Sequence, residues 1–294
     1  MPPARASESD GDPRASISAV ILTYNSAASI ARTLGAVRGL TTDIYIVDSF
    51  STDETLDICR TAGCQVHQRP FLNYADQRNW AIDNLDLQGE WQIHLDADEE
   101  LGAGAAETIR AAVVGAQEAD GFILCRKLVF LGRVLRFGGI ARTWHCRVFR
   151  RGAGRCEDRL YDQHFLCSGP TRVLDATIFD HQEASLADWT ASHNRWADFE
   201  AAELLAQSGP MPRSHQIQAR LAGNVIERRR YHKARYYQMP LFLRPLLYFL
   251  VRYVFQLGLL DGRPGLIYHV LQGFWFRFLV DAKVFEARRA LRQP

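Results

Sequence analysis

Residues Trp91 to Glu100 read WQIHLDADEE, an apolar run that ends in two aspartates one residue apart. Side chains two apart along a β-strand share a face. Asp96 and Asp98 therefore present their carboxylates together where a strand runs out into a loop. Such a pair suits Mg²⁺ or Mn²⁺, hard cations that take oxygen ligands and share them with phosphate, so the chemistry it points to is on a diphosphate. An acid-rich turn would read the same way, and the pair gains meaning only from what surrounds it.

The elements that must hold the pair are legible upstream. Ile17–Thr23 reads as a buried strand, Ser29–Val37 as a helix, Ile44–Asp48 as a strand and Thr52–Ala62 as a helix ended by Gly63. A short strand over Gln65–Gln68, a helix over Tyr74–Asn84 and a strand over Trp91–Leu95 follow. Four βα-type units in series predict an α/β fold with a mainly parallel sheet and helices on both faces. Ligands of such sheets bind beyond the carboxyl ends of the strands, which gathers Thr23-Tyr24-Asn25, Asp48 and Asp96/Asp98 on one rim. Ser51 and Glu54 have the spacing of a capping box. Asp53 would then lie in the first helical turn, where negative charge suits the helix dipole, and a structural role is its simpler reading.

Ala105–Ala116 reads as a surface helix. From Gly121 to Asp180 the pattern changes: GFILCRKLVF, WHCRVFRR and TRVLDATIF look like strands of a mixed extension. Ser185–Gln207 is a long helix whose Trp189, Trp196 and Phe199 form a packing stripe, broken by Gly209-Pro210. The 294 residues carry a net charge of +2, which gives no reason to expect nucleic acid. Charge is instead local. Arg220, Arg228, Arg229, Arg230, Lys233, Arg235 and Arg244 lie close together against only Glu227, beside apolar sequence, a pattern that suggests an anionic membrane surface. Leu241–Leu260 and Leu266–Val280 are apolar but interrupted, short of the roughly 20 apolar residues of a spanning helix. His269, Gln272, Arg277 and Asp281 fall on one half of the second segment. The segments are expected to be a pair of interfacial helices, the alternative being a helical subdomain that packs on the catalytic domain or dimerises. Six cysteines without metal-site spacing read as reduced thiols. Residues 1–15 lack the apolar core of a secretory signal and are expected to be disordered. The expected domains are thus 1–15, 16–210 and 211–294, the last associating with membrane.

Four rim segments occur in order: ILTYN at Ile21–Asn25, IVDSFSTDET at Ile46–Thr55, QRN at Gln77–Asn79 and HLDADEE at His94–Glu100. Together they resemble glycosyltransferase family 2, inverting nucleotide-sugar enzymes of the GT-A fold. The remainder, through GLLDGRPGLIYHVLQGFWFRFLVDAK at Gly258–Lys283, resembles a bacterial branch that extends lipopolysaccharide core or other lipid-linked envelope glycans. By that resemblance Thr23, Tyr24 and Asn25 contact the nucleotide, Asp48 its base or ribose, and Arg78 the nucleotide again, with Asn79 in support. Asp98 becomes the direct metal ligand, and Asp96 contacts ribose or a metal-bound water. Phe50 stands where many members have glycine. The implied donor is a nucleotide-diphosphate sugar, most simply a UDP-sugar, with Mg²⁺ or Mn²⁺. The implied acceptor is a lipid-linked saccharide, and the implied location is peripheral, on the cytoplasmic face of a bacterial inner membrane.

The chemistry explains these residue types. Glycosyl transfer builds negative charge on a diphosphate leaving group, which a divalent cation and an arginine stabilise. An inverting reaction also needs a base for the acceptor hydroxyl. Related envelope enzymes place a glutamate of a Val-His-Glu there. This chain has Tyr161-Asp162-Gln163, and glutamine cannot serve. Asp162 is the expected base, with Glu157, Asp158 and His164 as rivals. Asp162 could equally pair with an arginine, and His164 could be a core residue. Arg142, Trp144, His145 and Arg147 suit either an acidic acceptor or a packed surface strand. A nucleotidyltransferase would need a glycine-rich phosphate loop after the first strand, which Thr23–Ser26 lacks. A catalytically silent membrane adaptor stays open because of Gln163.

Overall fold

The structure, a computed structural model, describes residues 17–116, 118–206 and 216–291. The expected N-terminal tail, the Gly209-Pro210 break and the domain boundary at 210 lie outside the described residues. The first half follows the expected alternation: β1 (Ile17–Thr23), α1 (Ile30–Arg38), β2 (Ile44–Asp48), α2 (Thr55–Thr61), β3 (Gln65–Gln68), α3 (Tyr74–Asn84) and β4 (Trp91–Asp96). Next come β5 (Glu99–Leu101), α4 (Ala105–Val114), β6 (Gly121–Phe130), β7 (Arg133–Val134), β8 (Thr143–Arg150), β9 (Gly154–Cys156), β10 (Phe165–Cys167) and β11 (Thr171–Gln182). The rest is helical: α5 (Leu186–Ala206), α6 (Val225–Tyr237), α7 (Leu243–Leu250), α8 (Gly262–Tyr268) and α9 (Phe276–Ala290). π-Helical turns at Val251–Phe255 and His269–Trp275 and a 3₁₀ turn at Gly258–Asp261 link the last three.

One sheet runs in the order β3-β2-β1-β4-β8-β6-β11-β5, with β7 paired to β6. The first four strands are parallel. β8 enters antiparallel between β4 and β6, β11 is parallel to β6, and β5 closes the far edge antiparallel to β11. β1, β2 and β4 are continuous apolar runs because both of their faces are covered. Ile21, Ile46 and Ile93 pack with Ile30, Leu34 and Val37 of α1. Val20, Tyr45 and Val47 meet Ala81 of α3 and Leu85 beyond it.

α2 begins three residues later than the sequence suggests, and the Ser51–Glu54 capping box does not form. Ser51 is drawn away into the rim: its hydroxyl donates to Asp48 Oδ1 at 2.5 Å and accepts the Asn25 N–H at 2.8 Å. Asp53 does the local work, accepting the N–H groups of Ala27 and Thr55 and the Thr55 hydroxyl. α3, by contrast, starts where expected, because the Asn73 side chain accepts the Asp76 N–H at 2.8 Å.

The C-terminal helices make two arms, Leu243–Phe255 and Gly258–Ala290, that meet at 70°, and among the described residues no single helix is long and apolar enough to cross a membrane. Their polar residues point inward. His269 and Asp281 are buried, with Asp281 paired to the equally buried Arg244. Phe276, Val280 and Val284 pack on Ala197 and Ala201 of α5, so one face of the tail is a subdomain docked on the rest. The other face leaves Leu246, Leu250, Val254, Leu259, Leu260 and Phe278 exposed, and Phe255 at the bend is 78% exposed.

Candidate active site

The parallel register sets Thr23 beside Asp48 and Leu22 beside Asp96, so the strand ends form one rim. Asp48 sits beneath this rim. It is 0% exposed. Its carboxylate accepts the Thr23 hydroxyl at 2.9 Å, the Ser51 N–H at 2.8 Å, the Ser51 hydroxyl, and Gln68 Nε2 at 3.2 Å. A carboxylate has about four acceptor sites, and all are occupied. Asp48 therefore organises the rim from within, and buried Thr23 helps it. Asn25, at φ +47°, accepts the Thr52 N–H at 2.8 Å and fixes the same loop. Tyr24, 62% exposed, is the member of this trio that faces outward. Phe50 adopts φ +60°, so the loop keeps a left-handed turn without the family's glycine, and its ring is exposed. Phe71, Leu72 and Tyr74 expose further apolar surface on the adjoining loop. Sequence reading missed them, although apolar residues in a loop that borders a ligand rim are themselves a signal.

Below the rim lies a carboxylate cluster. Arg78 Nη2 donates to Asp96 Oδ1 at 2.7 Å, and Arg147 Nη2 donates to Asp96 Oδ2 at 3.1 Å and to Glu99 Oε1 at 2.5 Å. The Asp96 N–H donates to Glu99 Oε2 at 3.1 Å. Arg126 pairs with Asp180 at 2.9 Å and stands 3.7 Å from Glu99. Burial alone would raise the Asp96 carboxyl, but Arg78 and Arg147 hold it well below the usual carboxylate range. Asp98 is different. Among the described residues its carboxylate has no hydrogen-bond or ion-pair partner, while burial and then the carboxylates of Asp180, Asp96 and Glu99 push it well above the usual range. Four carboxylates thus meet three guanidiniums, and Asp98 is the one left without a partner.

That donor set fits one divalent cation. Asp98 offers an unengaged oxygen ligand in a negative field, whereas no group of three or more His, Cys, Asp or Glu among the described residues is arranged to hold an ion unaided. Asp98 would supply one ligand, and diphosphate and water the others. Arg78 is buried, fastened to Asp96 and set over the Phe165 ring at 5.3 Å. It shapes the cluster first, whatever it contributes to a nucleotide. Asn79 supports the site as expected, exchanging two hydrogen bonds with the Cys156 backbone at 3.1 and 2.9 Å. Arg147, read from sequence as an acceptor residue or a surface one, is neither: it is the buried clamp on Asp96 and Glu99.

On the acceptor side lies Asp162. It sits at φ +56° between β9 and β10, and Lys233 at 2.9 Å, Arg230 at 3.4 Å and Arg229 at 3.8 Å surround it. Burial would raise its carboxyl, but Lys233, Arg229 and Arg230 hold it well below the usual range. In this arrangement Asp162 is the counter-ion of the basic α6, not a free proton acceptor. Among its rivals, Glu157 is fully buried and accepts from Arg230, the His164 N–H and the Ile217 N–H, so it is structural. Asp158 is exposed. His164 is buried, stacked on His145 at 4.8 Å, and burial keeps it neutral. Gln163 donates to the Arg159 carbonyl at 2.7 Å.

The parallel strands, the antiparallel β8 beside β4 and the aspartate pair at the β4 end define a GT-A type α/β transferase. A family model described as glycosyl transferase family 2 matches residues 18–181, over half of the chain, and the chain belongs to that family. Among curated proteins, an uncharacterized glycosyltransferase of Rickettsia prowazekii is 40% identical over 85 residues, 29% of this chain and 28% of that protein. One of Rickettsia bellii is 33% identical over 118 residues, 40% of this chain and 39% of its own. The chain therefore spans well under half the length of these relatives. Among solved structures, Staphylococcus aureus TarS 1–349 in complex with UDP-GlcNAc aligns at 14% identity over 93% of this chain and 92% of its own, with a TM-score of 0.44. Glucosyl-3-phosphoglycerate synthase of Mycobacterium tuberculosis with Mn²⁺ and UDP-glucose aligns at 16% identity over 42% of this chain and 49% of its own, with a TM-score of 0.33.

Proposed function

We propose that this glycosyltransferase moves a sugar, with inversion, from a nucleotide-diphosphate sugar to a saccharide carried on a lipid at the cytoplasmic face of a bacterial inner membrane. The observation that carries the donor half is the unpaired Asp98 just beyond β4, the one carboxylate of its cluster without a partner. A divalent cation seated there would offset the charge that builds on the departing diphosphate. Arg147 and Arg78 hold Asp96 rigid beside it, so no reorganisation is needed when the charge develops. Tyr24, Phe50 and Tyr74 offer aromatic faces to a nucleobase, and a UDP-sugar is the simplest donor.

Asp162 keeps its place as the proposed base on one condition. A carboxylate held by three cations is a weak proton acceptor. An anionic acceptor saccharide that engages Arg229 and Lys233 would release it. The membrane half rests on the tail, whose outer face exposes leucines, valines and phenylalanines around a bend. Arg263, Arg288 and Arg289 are exposed on the same region, a complement to anionic lipid.

The donor test is binding and hydrolysis of a panel of UDP-sugars with Mn²⁺ or with EDTA. Wild type binds at least one in Mn²⁺ and Asp98→Ala binds none; equal binding by both refutes the assignment. For the tail, full-length protein should float with phosphatidylglycerol vesicles at low salt, and protein left in solution refutes the membrane reading. Donor binding without transfer to any acceptor, with Asp162→Asn behaving as wild type, would favour the silent adaptor.

A further inference from the structure

The segment Gly258-Leu-Leu-Asp261-Gly-Arg-Pro-Gly265 takes no part in donor chemistry, yet it is firmly bonded to the chain between β7 and β8. Asp261 is 1% exposed. Both of its carboxylate oxygens accept the Arg136 N–H at 3.0 Å, and Oδ2 also accepts the Phe137 N–H at 2.9 Å. The neighbouring bonds run the same way. The Gly138 N–H donates to the Gln256 carbonyl at 2.8 Å, Arg252 Nε donates to the Gly138 carbonyl at 2.5 Å, and Arg133 Nη2 donates to the Leu260 carbonyl at 3.3 Å. Gly138 and Gly139 hold φ +71° and +68°, and a Cβ on either would come within 2.2 Å of the His269 ring or the Gln256 amide oxygen. The His269 and Gln256 side chains of the tail lie against this backbone as closely as glycine permits.

The bonded turn has two neighbours of opposite character. On one side are Phe255, Leu257, Leu259 and Leu260, the exposed apolar bend of the tail. On the other, the loop runs straight into β8, where Arg147 grips Asp96 and Glu99. Only eight residues separate Gly139 from Arg147, at most about 29 Å of fully extended chain. One short stretch of backbone therefore joins the tail's bend to the carboxylate cluster.

We propose that Asp261 is a positioning residue: through its turn it latches the β7–β8 loop to the apex of the tail, so that seating the apex in an anionic bilayer orders the loop that leads into β8. This rests on the membrane reading above. A bilayer is the occupant that the surface favours, because the exposed face is aliphatic and aromatic around a sharp bend and carries exposed Arg263 beside it. Leu135 and Ile140 of the loop are buried against Phe130 and Trp189, but its backbone has few bonds to the sheet. Apart from the short β7 pairing it makes one further backbone bond to the sheet, from the Leu135 N–H to the Leu128 carbonyl. Residues whose backbone bonds go to a single partner element open and close with that element.

Amide hydrogen exchange on the full-length protein, with and without phosphatidylcholine/phosphatidylglycerol vesicles, tests the latch. Flotation is run on the same samples. In wild type, vesicles should slow exchange at Arg136, Phe137 and Gly138 by about tenfold or more. Asp261→Ala should float equally well, while these amides exchange fast and ignore the vesicles. Asp261→Asn keeps the volume and one acceptor oxygen, so it guards against a folding defect and should respond partially. UDP affinity in Mn²⁺ should be the same in all three. Wild type that floats without slowing these amides overturns the latch alone. Equal vesicle protection in Asp261→Ala overturns it too. Wild type that does not float refutes the membrane reading and the latch with it.

Discussion

Replacing Asp98 with asparagine separates the charge of that side chain from its size. In the wild-type cluster Asp98 is the carboxyl without a partner, and burial with Asp180, Asp96 and Glu99 pushes it upward. An acid whose pKa is raised on folding binds its proton more tightly in the folded state. Its contribution to stability is intact below the unfolded value of about 4 and is lost as the pH rises through the folded value, at about 1.4 kcal/mol per unit of displacement. Asparagine cannot ionise. The metal-free variant should therefore be more stable than wild type at neutral pH, and the two should converge below about pH 4. A bound cation reverses the order. At a hundred times its dissociation constant a ligand adds about 2.7 kcal/mol, which for a chain of this size raises Tm by about 4–5 °C. Thermal unfolding in EDTA, and then in Mn²⁺ with UDP, measures both effects. Wild type should start lower and climb; Asp98→Asn should start higher and stay. A variant that starts lower, or climbs as wild type does, refutes the charge count and with it the metal seat.

Two further substitutions probe the groups around that seat. Arg147→Met leaves Glu99, 0% exposed, with the Asp96 N–H and the longer contact to Arg126 as its remaining partners. Stranding a buried charge costs about 3–5 kcal/mol, to be read from urea unfolding, and Glu99→Gln in the same chain should return part of it. Asp162→Asn removes an acid that Lys233, Arg229 and Arg230 hold low against its burial. Such an acid stabilises the fold above its unfolded value of about 4 and loses that contribution as the pH falls through the folded one. The variant should be weaker at neutral pH by about 1.5–3 kcal/mol, with a flatter acid limb in a pH series of unfolding curves. If Asp162 is the base, transfer should also fall by about 10²–10⁴ with UDP affinity kept; unchanged transfer would move the base elsewhere.

The first hundred residues were legible because their signals are local. Continuous apolar runs set β1, β2 and β4, and Asn73 marked the start of α3. β5 was missed because three residues that pair only with distant β11 carry no periodicity of their own. The capping box failed for a related reason: Ser51 had a better partner in Asp48, across a loop that spacing alone does not describe. The rim was readable as a set of residues but not as a set of roles. Asp48 is saturated by Thr23, Ser51 and Gln68, and Arg147 reaches back 51 residues to Asp96, and neither fact follows from a motif. In the tail, periodicity correctly grouped His269, Gln272, Arg277 and Asp281 on one face. It could not say that this face turns inward, since that depends on the docking of α5 and the β7–β8 loop.

The interleaved strand order has a consequence in time. β4 carries the aspartate pair, but its arginine clamp arrives with β8, and the Arg126–Asp180 pair closes only with β11. A chain leaving the ribosome can assemble its parallel βα units early, since each strand meets its neighbour soon after synthesis. The acids at the end of β4 must wait, with only Arg78 to offset them, until some 80 further residues have emerged. Donor competence is therefore among the last properties this polypeptide acquires. A nascent or prematurely ended chain would already hold most of its core while remaining unable to capture a nucleotide sugar.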